Sequence, residues 1–321
     1  MKKAVKYILL SVLTIVIGTV LYLKLALPNV GPPEDIRVDI TPQRVERGRY
    51  LANSVCVCMD CHSTRDWSKF SAPLVVGTLG KGGETFDQKF GFPGSFYSKN
   101  ITPEGIGHWT DGELLRAIAS GVNKNGEALF PVMPHANYGN MTREDLYSII
   151  AYLRGLPPIK NNVPASKPDF PMNLILHTIP KKAQYAQAIN VDNALSRGAY
   201  LFNAAACGEC HTKKDKGNPI AGMELAGGFE FPLPSGGVVR SSNITPDKET
   251  GIGSWTEAAF VSRFKRYADS TYVPQTIAKG TFNTIMPWTM YKNMAEQDLK
   301  DLYAYLQRVK PVSNRVDKFT H

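Results

Sequence analysis

The chain contains the same unit twice, and this duplication constrains its fold more than any other feature. The first copy opens RGRYLANSVCVCMDCHS at 47–63 and the second RGAYLFNAAACGECHT at 197–212. Downstream come NITPEGIGHWT at 100–110 and NITPDKETGIGSWT at 243–256. Each copy then closes on Met-Pro and a run ending Ala-Tyr-Leu, at 132–153 and 285–306. Three separated motifs kept in one order mean a duplicated domain, because a chance repeat would not preserve their sequence. The 321 residues, 43% of them apolar, are enough to build two cores. The proline-rich stretch 157–180 has little periodicity and reads as the connection between them. The expected organisation is a membrane anchor or signal segment at 1–28, a first domain at 29–165, a linker at 166–189 and a second domain at 190–321.

Periodicity makes these domains helical. Thr110 precedes DGELLRAIAS with Glu113 three residues on, the pattern of a capping box. Thr142 precedes REDLYSIIAYL, where Leu146, Ile149, Ile150 and Leu153 share one face. Segments 44–53 and 196–206 read as helices leading into the cysteines, and the Gly-rich segments 77–94 and 226–237 as loops.

Residues 7–23, YILLSVLTIVIGTVLYL, are uncharged and close to the ~20 apolar residues that a membrane span needs. The boundary LKLALPNVG lacks a small-x-small cleavage site, which favours an uncleaved transmembrane helix over a signal peptide. Lys2, Lys3 and Lys6 precede the run and only Lys24 follows it. The N-terminus is therefore expected in the cytoplasm and the rest of the chain in the periplasm. These lysines supply part of the net charge of +9, and no Lys/Arg cluster interleaves with aromatics elsewhere, so nucleic acid is not an expected partner.

Five cysteines fall in two tight clusters, not in a disulfide framework. Cys58-Met-Asp-Cys61-His62 and Cys207-Gly-Glu-Cys210-His211 are both C-x-x-C-H, the pattern of covalent haem c attachment. Two thiols at this spacing can form thioethers to the two vinyl groups of one porphyrin edge, and the adjacent histidine then lies under the iron. Zinc would need a second Cys/His pair at each site, which neither copy offers, and a thioredoxin-type pair would need a βαβ setting. Two covalently bound haem c groups are therefore expected. Cys56 has no counterpart, since Ala205 stands in its place, and reads as an inert thiol.

A methionine opposite histidine is the usual low-spin electron-transfer arrangement. Met133 aligns with Met286, and Met141 with Met294; Met290 is a further candidate in the second copy. Met141 sits just before the cap Thr142, where an apolar residue packs on Leu146. Met133 and Met286 lie in irregular proline-flanked segments, which favours them as sixth ligands. His135 could displace Met133, but its counterpart is Trp288, and a solvent-facing or packing role is expected; His108, His177 and His321 read as surface or satisfied histidines. Asn100 with Trp109, and Asn243 with Trp255, fit either a haem-edge role or a turn followed by a core aromatic.

The combination of CxxCH, Asn-Ile-Thr-Pro with Gly-Ile-Gly and Trp, Met-Pro and a terminal Ala-Tyr-Leu helix resembles the multihaem cytochrome c subunits of membrane-bound bacterial alcohol, gluconate and fructose dehydrogenases. The likeness covers nearly all of the chain beyond residue 40. It implies an all-α fold of two tandem class I cytochrome c domains behind the transmembrane helix. It also implies matching roles for Cys58, Cys61, His62, Met133, Cys207, Cys210, His211 and Met286, with His62, Met133, His211 and Met286 on the irons. Those relatives typically carry three haem domains, so their partners do not transfer directly. The function expected is relay of single electrons at the outer face of the cytoplasmic membrane, from a dehydrogenase or quinol-linked donor to a respiratory acceptor such as a terminal oxidase. The rival is a dihaem redox enzyme, oxidising a small sulfur compound or reducing peroxide at an iron with a labile ligand. No acid/base or nucleophile constellation stands out to support catalysis by the chain alone.

Overall fold

The computed structural model describes all of residues 1–321. It opens with one long helix, α1 (Lys2–Leu25), long and apolar enough to cross a membrane and with none of its residues buried in the protein. The first half then contains α2 (Pro42–Tyr50), α3 (Cys58–Cys61), α4 (Pro103–Ile106), α5 (Asp111–Ser120), α6 (His135–Tyr138) and α7 (Arg143–Arg154). One turn, α8 (Met172–Ile175), lies in the connection and packs against α1. The second half contains α9 (Ala194–Ala204), α10 (Cys207–His211), α11 (Glu257–Lys265), α12 (Trp288–Tyr291) and α13 (Glu296–Leu306).

Glycine decides how the first and last helices of each half meet. α2 packs on α7, and α9 on α13. At the first crossing a Cβ on Gly48 would sit 1.8 Å from the Ser148 carbonyl oxygen, and at the second a Cβ on Gly198 would sit 2.1 Å from that of Asp301. The glycine of each Arg-Gly-x-Tyr-Leu run is therefore the point where two backbones touch. An Arg–Asp fork braces each crossing: Arg47 Nε and Nη2 donate to Asp145 at 2.8 Å each, and Arg197 Nε and Nη2 to Asp301 at 2.5 and 2.8 Å.

The caps form as the sequence implies. Thr110 and Glu113 complete a reciprocal capping box on α5, and the Thr142 hydroxyl accepts from Asp145 N on α7, each worth about 1 kcal/mol. One irregularity was not legible. Arg47 and Cys58 are one residue further apart than Arg197 and Cys207, and residues 51–55 absorb the extra residue as a π turn, in which Cys56 N donates to Leu51 O at 2.8 Å.

The all-α expectation holds for this frame but not for the loops. β1 (Thr85–Phe86), β2 (Gly94–Tyr97) and β3 (Lys167–Pro168) form one small antiparallel sheet. β4 (Lys214–Asp215) pairs with β5 (Asn218–Pro219), and β6 (Glu230–Pro232), β7 (Val238–Arg240) and β8 (Phe319–Thr320) form a third sheet. Gly-rich turns fold the loops back on themselves, and the chain after each last helix returns to add a strand. The protein is thus helix-rich with some sheet.

One contiguous apolar core runs through both halves, from Leu51, Leu115 and Ile150 to Phe260, Leu299 and Leu306. The join is reciprocal. Tyr50 of α2 donates to Asp298 of the second half at 2.5 Å, and its counterpart Tyr200 of α9 donates to Asp145 of the first at 2.6 Å. Likewise α6 packs on α9, while α12 packs on the π turn that follows α2.

Two outcomes are expected from this packing. Gly198→Ala forces the α9–α13 backbones apart and should cost about 1–3 kcal/mol, read as a lower melting temperature. Burial alone would raise the Asp301 carboxyl, but the Arg197 and Gln297 side chains outweigh it and hold the group below its usual 3.8. A pKa depressed by folding contributes stability that is full above 3.8 and is lost as pH falls through the folded value. Asp301→Asn should therefore destabilise by about 1–3 kcal/mol at pH 7, with a gap to wild type that narrows below 3.8, measured by thermal melts across pH.

Candidate haem-binding sites

Each Cys-x-x-Cys turn is entered through a left-handed residue that is not glycine: Val57 at φ 46° and Ala206 at φ 49°. For β-branched valine this backbone is strained, and the strain reverses the chain sharply between the preceding helix and the cysteines. The turns α3 and α10 then carry both thiols and the histidine on one short bend. Cys58, Cys61, His62, Cys207 and His211 are half-buried and Cys210 is exposed, and none of the five cysteines forms a disulfide.

The histidines are held in one geometry in both halves. His62 Nδ1 lies 2.7 Å from the Lys99 carbonyl oxygen, and His211 Nδ1 lies 2.7 Å from that of Ser242. Nδ1–H therefore donates to the carbonyl, and Nε2 keeps its lone pair for an iron. Burial pushes both imidazoles below their usual 6.5, which keeps them neutral. It also pushes the half-buried thiols of Cys58, Cys61 and Cys207 up to about 12. Thiols so disfavoured as thiolates do not suit a reactive redox pair. No cluster of three or more His, Cys, Asp or Glu side chains could hold a metal ion by itself. The donor set thus fits covalent haem c, with Cys58, Cys61 and His62 at one site and Cys207, Cys210 and His211 at the other.

The role of the Asn-Ile-Thr-Pro motif follows from those carbonyls, which belong to the residue just before each asparagine. Asn100 Oδ1 accepts from Thr102 N and Oγ1 at 3.0 and 2.7 Å, and its Nδ2 donates to Ile159 O at 2.7 Å. Asn243 repeats this with Thr245 at 2.9 and 2.8 Å and with Val312 O at 2.8 Å. Both amides are buried and engaged, so they build the expected turn, but the aromatic after it is not a core residue: Trp109 is half-buried and Trp255 exposed. The turn in turn fixes the carbonyl that orients the histidine. Gly82 N donates to His62 O, and Gly227 N to His211 O, at 2.8 Å each. Both glycines have positive φ, and a Cβ on either would come within 2.6 Å of the asparagine turn, so only glycine fits there. Sequence reading missed these carbonyls and glycines, although Gly82 and Gly227 lie within segments it marked as Gly-rich.

The methionines separate by burial. Met141 and Met294 are sealed in the core at 0% and 1% exposure, Met141 Sδ lying 3.9 Å from Cys56 Sγ. Met133 and Met286 are half-buried on irregular backbone just before α6 and α12. Those helices end in Tyr138 and Tyr291, whose hydroxyls donate to Cys56 O at 3.0 Å and Ala205 O at 3.2 Å, beside the cysteine turns. Burial holds both phenols well above 10, and nearby cysteines add to it. Met290 is buried in α12.

His135 departs from the solvent-facing option, being 2% exposed with Nε2 lacking a hydrogen-bond partner and its ring packed on Gly121. His108 and His321 are exposed, and His177 Nδ1 lies 3.2 Å from Leu27 O. Cys56 is buried, and burial raises its thiol well above 9.0, as an inert thiol requires.

Comparison with known proteins agrees with this geometry. Residues 195–310 match the family model for cytochrome c. The chain is 30% identical over 265 residues to a "Diheme cytochrome c-type" protein of Cereibacter sphaeroides, covering 78% of this chain and 81% of that one. It is 27% identical over 296 residues to the cytochrome c subunit of alcohol dehydrogenase (quinone) from Gluconacetobacter polyoxogenes (86% of this chain, 58% of the relative). It is 27% identical over 312 residues to the gluconate 2-dehydrogenase cytochrome c subunit of Pantoea cypripedii (92% of this chain, 64% of the relative). The chain therefore belongs to the cytochrome c family, whose members hold haem c covalently. It spans under two thirds of the length of the two dehydrogenase subunits.

Asn243→Ala frees the turn that holds the Ser242 carbonyl. It should cost about 1–3 kcal/mol and raise the reduction potential of one centre, because the histidine loses the acceptor that makes it a stronger donor. Thermal melts and redox titration check both effects.

Proposed function

We propose that this protein is a dihaem electron relay built of two tandem class I cytochrome c domains, at 29–165 and 190–321, joined by a linker at 166–189. The observation that carries the reading is the doubled Cys-x-x-Cys-His turn with its histidine held at the same 2.7 Å distance in both halves. When bound, haem supplies a one-electron ferric/ferrous couple. The chain does the rest. Cys58 with Cys61, and Cys207 with Cys210, fix the two groups as thioethers. His62 and His211 offer neutral Nε2 atoms, and Met133 and Met286 offer thioethers as sixth ligands. Held by the same histidine and methionine in both redox states, each group would change little on oxidation and reduction, which suits fast transfer. The core that surrounds the sites limits water and tunes the potentials.

The N-terminal helix anchors the relay, with Lys2, Lys3 and Lys6 on the cytoplasmic side and the haem domains in the periplasm. The dehydrogenase subunits among its relatives support a dehydrogenase as electron donor. A quinol-linked donor and a respiratory acceptor, such as a terminal oxidase, fit the same position at the membrane.

A pyridine haemochrome assay should give two haems per chain, falling to one in Cys58→Ala/Cys61→Ala and in Cys207→Ala/Cys210→Ala. Near-infrared magnetic circular dichroism should show methionine–iron charge transfer at both centres. A centre without that band, high-spin and responsive to added ligand, would overturn the pure relay and favour the redox-enzyme reading.

A further inference from the structure

We infer that Ser71 of the first half positions Met286, so that the sixth ligand of the second haem is held in place from the other half of the chain. The inference rests on the proposed ligation by Met286.

The two halves differ most in two loops, and those loops meet. After the first His, the chain runs 17 residues between the hydrogen-bonded pair Ser63 and Gly80; the equivalent pair Thr212 and Leu225 spans 13. The stretch from the helix-capping threonine to the methionine is instead longer in the second half (256–286) than in the first (110–133). The longer loop of each half pairs with the longer loop of the other. Phe70 N donates to Gln275 O and Ile277 N to Ser68 O, both at 2.8 Å, around a bridge between Lys69 and Thr276. Phe70 stacks on Tyr267 with ring centroids 6.1 Å apart.

Ser71 ends this pairing at the methionine. Its hydroxyl donates to Met286 O at 2.7 Å and accepts from Trp288 N at 3.0 Å. Its own N–H donates to Asn283 Oδ1 at 3.0 Å, and Asn283, 1% exposed, donates from Nδ2 back to Lys69 O at 3.2 Å. Asn283 Oδ1 also accepts from Thr284 N, and Thr284 Oγ1 accepts from Met286 N at 3.0 Å. Both backbone polar groups of Met286 are thereby fixed. Met133 has only local partners: its N–H donates to Phe130 O and its carbonyl accepts from His135 N. Ser71 and Ala72 adopt φ of 61° and 41°, a backbone that non-glycine residues rarely take. The surroundings impose that strain, and it delivers the hydroxyl to the methionine segment.

The positive φ supplies a clean test. Ser71→Gly removes the hydroxyl while relaxing the backbone, so the fold is retained and the loss is confined to the contact with Met286 and Trp288. The full-length protein, in detergent or nanodiscs, is compared as wild type, Ser71→Gly and Met286→Ala. Met286→Ala should abolish the methionine band of one centre. Ser71→Gly should weaken the band of that same centre, lower its potential, and tighten imidazole binding there about tenfold, with the other centre unchanged. If Met286→Ala removes a band while Ser71→Gly leaves bands, potentials and imidazole affinity at wild-type values, the positioning role is refuted and the ligation stands. If Met286→Ala leaves both bands intact, the ligation itself is wrong and the positioning role falls with it.

Discussion

Each half of this protein is organised around a hydrogen bond from a histidine Nδ1–H to a backbone carbonyl. The bond is short, 2.7 Å in both halves, and a carbonyl can only sit there if its loop is pinned. The asparagine turn pins it from one side, through a side chain bonded at both ends, and a glycine closes on the turn from the other. The chain beyond the last helix supplies the acceptor for each asparagine, at Ile159 and Val312. The terminal segments of each half are thus tied to the histidine through one turn. Crossing of the first and last helices at Gly48 and Gly198 sets where those segments run.

Much of this was readable because it is local. The Cys-x-x-Cys-His spacing, the capping box at Thr110 and Glu113, and the helix after Thr142 depend on neighbours within a turn or two, and periodicity records such neighbours. The packing role of Met141 and Met294 was readable for the same reason: both precede helices whose apolar faces enclose them. What escaped depends on partners far along the chain. The asparagine was equally compatible with a ligand-facing role until Ile159 and Val312 appeared as its acceptors. His135 aligns with an aromatic and was not recognisable as a buried imidazole with an unpartnered nitrogen. The π turn at 51–55 was visible only as a one-residue difference between the copies, which does not say how the extra residue is stored.

The repeat also explains the join between the halves. Tyr50 and Tyr200 occupy one position of the repeat and reach Asp298 and Asp145, which occupy another. A contact between two different surfaces, made once in each direction, is the signature of a two-fold relation between like units. Such a join needs one complementary pair of patches, and the duplicated sequence supplies it twice. Tyr50 is half-buried and Tyr200 buried, and burial with a hydrogen bond to a carboxylate holds both phenols well above their usual 10, so each stays neutral and its O–H has an acceptor.

Divergence has then been laid over that symmetry. Beside the first cysteine turn, the Arg65 side chain is only 9% exposed and pairs with both Asp60 at 3.0 Å and Glu84 at 3.0 Å, with its guanidinium over Trp67. The equivalent pair in the second half, Glu209 and Lys214, stands nearer the surface and has no second acid. Buried charges interact through a lower effective dielectric than exposed ones, so the two turns sit in different electrostatic fields although both carry the same Cys-x-x-Cys-His pattern. The loops diverge as well, and in a complementary way: the extra length in the first half crosses onto the extra length in the second. Symmetry alone would give two equivalent sites. Loops of extra length that pair across the join tie the halves together and make the surroundings of the two cysteine turns unequal.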